Sequence, residues 1–571
     1  MEPQAEPVAM PYVSPEFSAR ERELLAPFFT NLDRSAYAIT IPNPEVVGAI
    51  CSRASRATAD LREVFLREFL LPFLAPERAE DESDQDWQAK QQSAAQLQEL
   101  IDLLKQASVE ARMANPKARA FFDKWLAQFG DDSIDQMAGT HIAFGALSQV
   151  ALKHLEDQRI GLAPIEKSTR YVDYGGRVNG RYRYLTPAEL SDRELRAAYD
   201  AAMDNLFATY ADLVPRVHVW LMERHPEVPR GVCEKKAFDL LRGLLPMSAL
   251  SQVAFFANGQ AAEYLITRGR AHDLTEVQWA AERAREEWQH VIPSFIHRVD
   301  STAGGEYQQW LRDRRKRLRE RAAQVLADAA TVATAPSVRL LDYHNDGEAR
   351  VIAGLLHDAG GAGVDFASAL QAVAVMTDAQ KREVLDDHFR GRTQRYHKPH
   401  HAFELAGMTF EIVTNNGAYR DLHRHRMLSQ QRELFTVVHG YDLPDELSGT
   451  AFEAPFREAI AKTEEVYHAV HDVLGAEVAQ YAATLAHRVR FIQQQNLRSA
   501  FWTTELRTIP EGHPDYRAVE QEKARLISQA YPLVAEYLMA DMANYDFARR
   551  GQEQKIAAKE RALRTASEES A

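Results

Sequence analysis

The stretch A-Y-R-D-L-H-R-H-R-M-L-S-Q-Q-R-E-L, residues 418–434, decides how this chain is read. It crowds four arginines and two histidines into seventeen positions of a protein whose formal net charge is -14. An amphipathic helix can set Arg420, Arg424 and Arg432 on one solvated face, but the consecutive Arg424, His425 and Arg426 must point in different directions around it. Such a cluster implies a local anionic partner. The acidity of the whole chain argues against a broad nucleic-acid surface, which needs a basic footprint to neutralise phosphates.

Working outward, 571 residues exceed a single hydrophobic core, so several domains are expected. Cys51 and Cys233 are the only cysteines and stand in no metal-type spacing, which predicts a reducing, cytoplasmic setting without a disulfide scaffold or a thiolate zinc site. The N-terminus has no basic segment leading into an apolar run, and no uninterrupted apolar run reaches ~18 residues, so neither secretion nor a membrane span is expected.

Along the chain, residues 1–30 are rich in Pro and Glu and read as a flexible tail. Y-A-I-T-I-P at 37–42 is strand-like, and a helical pattern follows from Glu45 to Leu74. The acidic patch at 76–87 reads as an exposed insertion, and 97–155 as largely helical. Residues 171–184 suggest a hairpin, and 310–325 a basic, solvated linker helix. The pattern then restarts with strand-like S-V-R-L-L-D-Y-H at 337–344 and the alternating T-F-E-I-V-T at 409–414.

That restart suggests internal duplication. Aligning 130–160 with 397–426 sets Phe144 on Phe410 and Gln158 on Arg424; further on, F-A-N-G-Q-A at 256–261 falls on Q-Q-N-L-R-S at 494–499, pairing Asn258 with Asn496. The division expected is a tail at 1–30, a first domain at 31–300, a basic linker at 301–335, a second domain at 336–548 and a charged tail at 549–571.

The second half, over roughly 337–535, resembles the flavin-dependent thymidylate synthases, whose signature is R-H-R-x-x-S-x-N-E-x-S-x-R-Y. From Arg424 this chain gives R-H-R-M-L-S-Q-Q-R-E-L-F-T-V. It keeps Arg424, His425, Arg426 and Ser429, whereas Arg432 replaces the Glu, Leu434 the Ser and Thr436 the second Arg. H-A-F-E-L-A-G-M-T-F-E-I, N-L-R-S and E-L-R at 505–507 are similar to the family's flanking segments. The first half carries complementary pieces. E-K-S-T-R-Y, 166–171, matches the end of the signature, although Gln158, Arg159 and Ile160 stand where Arg-His-Arg belongs. L-R-G-L-L-P, with Arg242, resembles the nucleotide-phosphate segment, and its second-half counterpart is Gln480.

The resemblance implies a helix-rich α/β (α+β) fold in two tandem copies. It assigns FAD contacts to Arg424, His425, Arg426, Ser429, Asn496 and Arg498, and nucleotide contacts to Glu166, Ser168, Thr169, Arg170, Arg242 and Arg507. Arginine forks suit diphosphate and phosphate, and the Ser168 hydroxyl and N–H can add neutral donors. Arg507 is the implied catalytic group, stabilising the N3 anion of a pyrimidine so that C5 becomes nucleophilic without a thiol. Family sites are assembled between subunits, so complementary tandem copies imply a composite site and a homodimer standing in for the family's tetramer.

The implied reaction is methylation of dUMP to dTMP with methylenetetrahydrofolate and NADPH as cosubstrates. The alternatives are a non-catalytic flavin or nucleotide binder, and a methyltransferase acting on another pyrimidine nucleotide. A metal is not expected: His423 and His425 diverge on a helix, and no H-E-x-x-H accompanies them or His397, His400 and His401.

Overall fold

A computed structural model describes residues 12–80, 82–122, 134–329, 335–360, 363–548 and 551. Residues 1–11 of the expected N-terminal tail, and all but residue 551 of the expected C-terminal one, lie outside the described residues. The chain forms two compact units. Among the described residues, unit 1 takes those within 1–211, 244–331 and 455–484, and unit 2 those within 212–243, 332–454 and 485–571. Each unit therefore takes in a helical segment from the other half of the sequence.

Unit 1 contains the strands β1 (Ala36–Ile39), β2 (Gly139–Ser148), β3 (Leu162–Glu166) and β4 (Leu250–Asn258), hydrogen-bonded in the order β1-β2-β4-β3. Unit 2 contains β5 (Ser337–Tyr343), β6 (Gly407–Asn415), β7 (Ser429–Arg432) and β8 (Arg488–Asn496), in the equivalent order β5-β6-β8-β7. All pairings are antiparallel. Two sheets of one topology establish the tandem architecture that the restart suggested.

Register makes the equivalence residue-specific. Gly139 lies opposite Asn258 in one sheet and Gly407 opposite Asn496 in the other. Ile142, opposite Phe255, is thus the counterpart of Phe410, opposite Gln493. The expected match of Phe144 with Phe410 is two residues out, a slip that a period of two conceals because it keeps the side chain on the same face. On the outer strands Glu166 lies opposite Val253 and Arg432 opposite Phe491, which makes Glu166 and Arg432 counterparts, as the signature alignment requires.

In both units the two central strands run straight into helices through an N-cap. Ser148 accepts from the Ala151 N–H at 3.1 Å and Asn258 from Ala261 at 2.8 Å. Asn415 accepts from Ala418 at 2.8 Å and Asn496 from Ser499 at 2.9 Å. Each cap satisfies one orphan donor and is worth ~1 kcal/mol.

Several expectations need correction. Gly139–Ser148, within the stretch read as helical, is a strand: its near-continuous apolar run, A-F-G-A-L, fits either period, and burial on both faces removes the alternation that would mark it. Within the expected tail, Ala19–Leu25 is a helix with a capping box at Ser18 and Glu21, anchored by buried Leu24 and Leu25. Residues 171–184 pair through a single bridge, Val178 with Arg181, around a turn with positive φ at Asn179 and Gly180. The basic segment is helical as expected, in Thr302–Val325, and its Arg319 pairs with Asp273 at 2.5 Å and with Glu477.

Candidate active site

The helix that opens the arginine-rich stretch, Asn416–Leu422, is short; His423 is its C-cap and Arg424, His425 and Arg426 lie in the following loop before β7. The solvated helix face that Arg420, Arg424 and Arg432 could have shared does not form, and Arg420 is buried at 3% exposure. Leaving the helix frees three consecutive side chains to line one cavity of about 380 Å³, together with Asn496, Arg498 and Trp502.

Arg392, Arg395 and Lys398 also line this cavity, and Glu404 is its one acidic wall residue among the described residues. The Arg392 guanidinium is occupied by a two-pronged, buried pair with Glu505 at 2.7 and 3.0 Å. Arg498 donates to Glu404 at 2.7 Å and to the Pro399 carbonyl at 2.9 Å. Arg395 and Lys398 form no ion pair among the described residues; their charges lie 5.5 and 5.6 Å from the centre of the Trp502 ring. Excess cation beside an indole, Met427 and Leu428 makes this donor set fit a ligand that joins a diphosphate to flat aromatic rings, which is the chemistry of FAD.

His425 is buried, and its Nε2 accepts a hydrogen bond from Arg507 Nε at 2.9 Å. Burial first, then the charges of Arg507, Lys523 and Arg426, hold its pKa well below the usual imidazole value. The ring is therefore neutral, and acceptance at Nε2 places its proton on Nδ1. Arg507 itself lies 5.5 Å from the centre of the Tyr516 ring. Ser429 is exposed on β7 opposite Gln494 and is not a wall of this cavity.

Arg242 belongs to unit 2, carried by the C-cap of the helix Arg230–Leu241. It lines a second cavity in that unit, about 560 Å³, with Asn415, Asp442, Arg488, His513 and Asp515. Asn415 donates to Asp442 at 2.9 Å and to Asp515 at 2.7 Å, so one amide ties the base of the helix Asn416–Leu422 to two carboxylates. Gly417 lets the arginine approach: a Cβ there would sit 3.2 Å from the Arg242 guanidinium. Asp421 stands 3.7 Å from Arg242 and 3.8 Å from Arg424, a carboxylate shared by the two groups expected to bind different phosphates.

Unit 1 holds the remaining expected residues. Glu166 is buried against Lys153 at 2.6 Å, and Lys153 is also paired with Glu156 at 2.6 Å. The Ser168 N–H, read as a phosphate donor, instead donates to the Ser55 carbonyl at 2.9 Å, while its hydroxyl accepts from the Arg170 N–H at 3.2 Å. Thr169 and Arg170 are buried. Burial pushes the Cys51 thiol up to about 12 and raises Cys233, so neither is an activated thiolate.

Sequence reasoning missed Arg395, Lys398, Trp502, Asp421, Asn415 and Asp515. Only Asp421 carried a signal, lying three residues before Arg424 in the stretch first read. Among the described residues no helix is long and apolar enough to cross a membrane.

The fold and cavities define a tandem, helix-rich α/β protein with a cavity lined by arginines and a lysine in its second unit. The family described as thymidylate synthase complementing protein, Thy1, matches residues 78–294 and again 339–533. The chain belongs to this family of flavin-dependent thymidylate synthases, whose members are flavin-dependent methylases and typically use FAD. It is 32% identical to a UPF0159 protein of Chlamydia muridarum over 94% of this chain and 98% of that one. It is 26% identical to the UPF0159 protein Ta1429 of Thermoplasma acidophilum over 76% and 91%. A crystal structure of the UMP/dUMP methylase PolB from Streptomyces cacaoi, bound with 5-Br dUMP, aligns at 19% identity and a TM-score of 0.28, covering 36% of this chain and 96% of that one.

Proposed function

We propose that the chain is a flavin-dependent methylase that converts dUMP to dTMP with methylenetetrahydrofolate and NADPH. The observation that carries this reading is the cationic cavity at Arg424, His425 and Arg426, in which burial, and after it the charge of Arg507, keeps His425 neutral. Arg424, Arg426 and Arg498 would hold the FAD diphosphate, with Arg395 and Lys398 adding charge beside the Trp502 face. FAD bound there would supply hydride transfer, a redox step beyond the reach of amino-acid side chains.

Arg242 is assigned the nucleotide phosphate, for which it must exchange the Asp421 carboxylate. His425 offers Nδ1–H as a donor that does not add charge, and Arg507 fixes the ring's tautomer and orientation. By resemblance Arg507 also stabilises the pyrimidine N3 anion; its ability to do both requires its terminal nitrogens, since Nε is engaged with the imidazole.

The test is formation of dTMP from dUMP by FAD-loaded protein, with flavin read from the visible spectrum and turnover from tritium release at C5. A second reading, a flavin or nucleotide binder without turnover, is favoured by Arg432 standing at the register position of Glu166. Flavin bands without tritium release would select it. Turnover of a different pyrimidine nucleotide would instead select a methyltransferase of altered substrate.

A further inference from the structure

The tandem sheets allow the Arg242 cavity to be compared with its counterpart, position by position. Arg242 and Gly243 open a 3-10 turn eight residues before β4, and Gln480 and Tyr481 open one eight residues before β8. The backbone confirms the match: the Ala486 N–H donates to the Gly243 carbonyl at 3.0 Å in unit 2, and the Ser248 N–H to the Tyr481 carbonyl at 3.2 Å in unit 1. Asn415 and Ser148 are equivalent N-caps, and Asp515 and Glu276 are the second residues of the equivalent helices Pro514–Ala530 and Thr275–Gln289.

The two positions are built differently. In unit 2 the combination of Arg242, Gly243, Asn415 and Asp515 surrounds the cavity of about 560 Å³. In unit 1 the Tyr481 ring replaces the hydrogen of Gly243, and its hydroxyl donates to Glu276 at 2.8 Å. Glu276 also accepts from the Ser148 N–H at 2.8 Å and from its hydroxyl at 2.5 Å. Ser148, Ser248, Glu276, Gln480 and Tyr481 are all buried. Charge points the same way: Gln480 provides an amide where unit 2 has a guanidinium, and it is spent on the Glu477 carbonyl and carboxylate at 3.1 Å. An anion entering here would meet the buried Glu276 carboxyl, and the Tyr481 phenol stands at the position where unit 2 has only the hydrogen of Gly243.

We infer that the duplicated nucleotide-phosphate position survives only in unit 2, so that each chain binds one pyrimidine nucleotide, and that Tyr481 and Gln480 have closed the copy in unit 1. The inference rests on the nucleotide reading proposed above and deepens it to a stoichiometry and a location. Gly243 becomes a determinant of the open site, because its lack of a side chain is what separates the two copies at the point where Tyr481 stands.

Equilibrium dialysis of radiolabelled dUMP against the FAD-loaded full chain tests this, with the visible flavin spectrum as a separate readout of an intact protein. One equivalent per chain is expected. R242Q, which gives unit 2 the residue of unit 1, is expected to weaken dUMP at least tenfold while the flavin bands persist. Y481F, at the closed copy, is expected to leave both affinity and stoichiometry unchanged. Two equivalents per chain, or R242Q retaining half of the sites at wild-type affinity, would overturn the inference and leave the enzyme reading standing. Bound flavin with no dUMP binding at all would remove the nucleotide reading and this inference together.

Discussion

Arg507 Nε donates to His425 Nε2 at 2.9 Å, placing a permanent cation against a buried imidazole. The pair is informative because both members belong to the family-like set, and each constrains what the other can do. His425 cannot serve as a cationic phosphate ligand while Arg507 occupies its acceptor nitrogen, so its contribution is the neutral Nδ1–H donor. The prediction is that His425 remains neutral at pH 6. Histidine side-chain NMR should show no titration of this residue between pH 8 and pH 6, and in R507A its pKa should move upward, though burial still opposes the charge. A His425 that titrates at an ordinary value in wild type would refute the arrangement.

Arg395 and Lys398 provide the charge in the flavin-type cavity that no carboxylate balances among the described residues. Replacing both with glutamine should weaken FAD about 10- to 100-fold, a loss of about 1.4–2.8 kcal/mol. The salt dependence of binding should flatten as well, because fewer charge contacts remain to be screened. Fluorescence titration of FAD at two ionic strengths measures both. Unchanged affinity would mean that these groups serve Trp502 packing alone.

Asp421 competes with any phosphate for Arg242 and Arg424. Removing its charge in D421N should therefore tighten dUMP several-fold and make binding more sensitive to salt, because the guanidinium charge is no longer neutralised within the protein, as read by calorimetry. Weaker binding in D421N would show instead that the carboxylate is needed to hold the two guanidinium groups in place.

The parts of this site that were legible in the sequence are those fixed by local pattern. The alternating strand around Phe410 and the R-H-R-x-x-S segment each depend on neighbours within a few residues. What stayed hidden depends on partners remote in sequence. Asp421 acquires its role from Arg242, which reaches unit 2 on a helix of the first half, and nothing local announces that exchange. Trp502, on a helix, and Arg395, more than a hundred residues earlier, share one cavity that no local pattern connects. The strand Gly139–Ser148 was misread for the converse reason: burial on both faces erased its pattern.

The closed copy also leaves a trace in stability. Glu276 is fully enclosed, and burial raises its pKa from the ordinary 4.5 to about 7, against the opposing hydrogen bonds from Ser148 and Tyr481. The folded protein thus holds this proton more tightly than the unfolded chain does. Stability from Glu276 is fully present below about pH 4.5 and declines as pH rises through about 7, where the carboxyl must ionise in place. At about 1.4 kcal/mol per pH unit the decline amounts to about 3 kcal/mol at most. E276Q keeps an acceptor for the Ser148 N–H and has no proton to lose, and the two hydroxyls can turn to accept from its amide. Urea melts at pH 5 and pH 8 should therefore show a smaller pH-dependent loss in E276Q than in wild type. An identical loss in the two proteins would assign the pH dependence to other groups and leave Glu276 ionised in the fold.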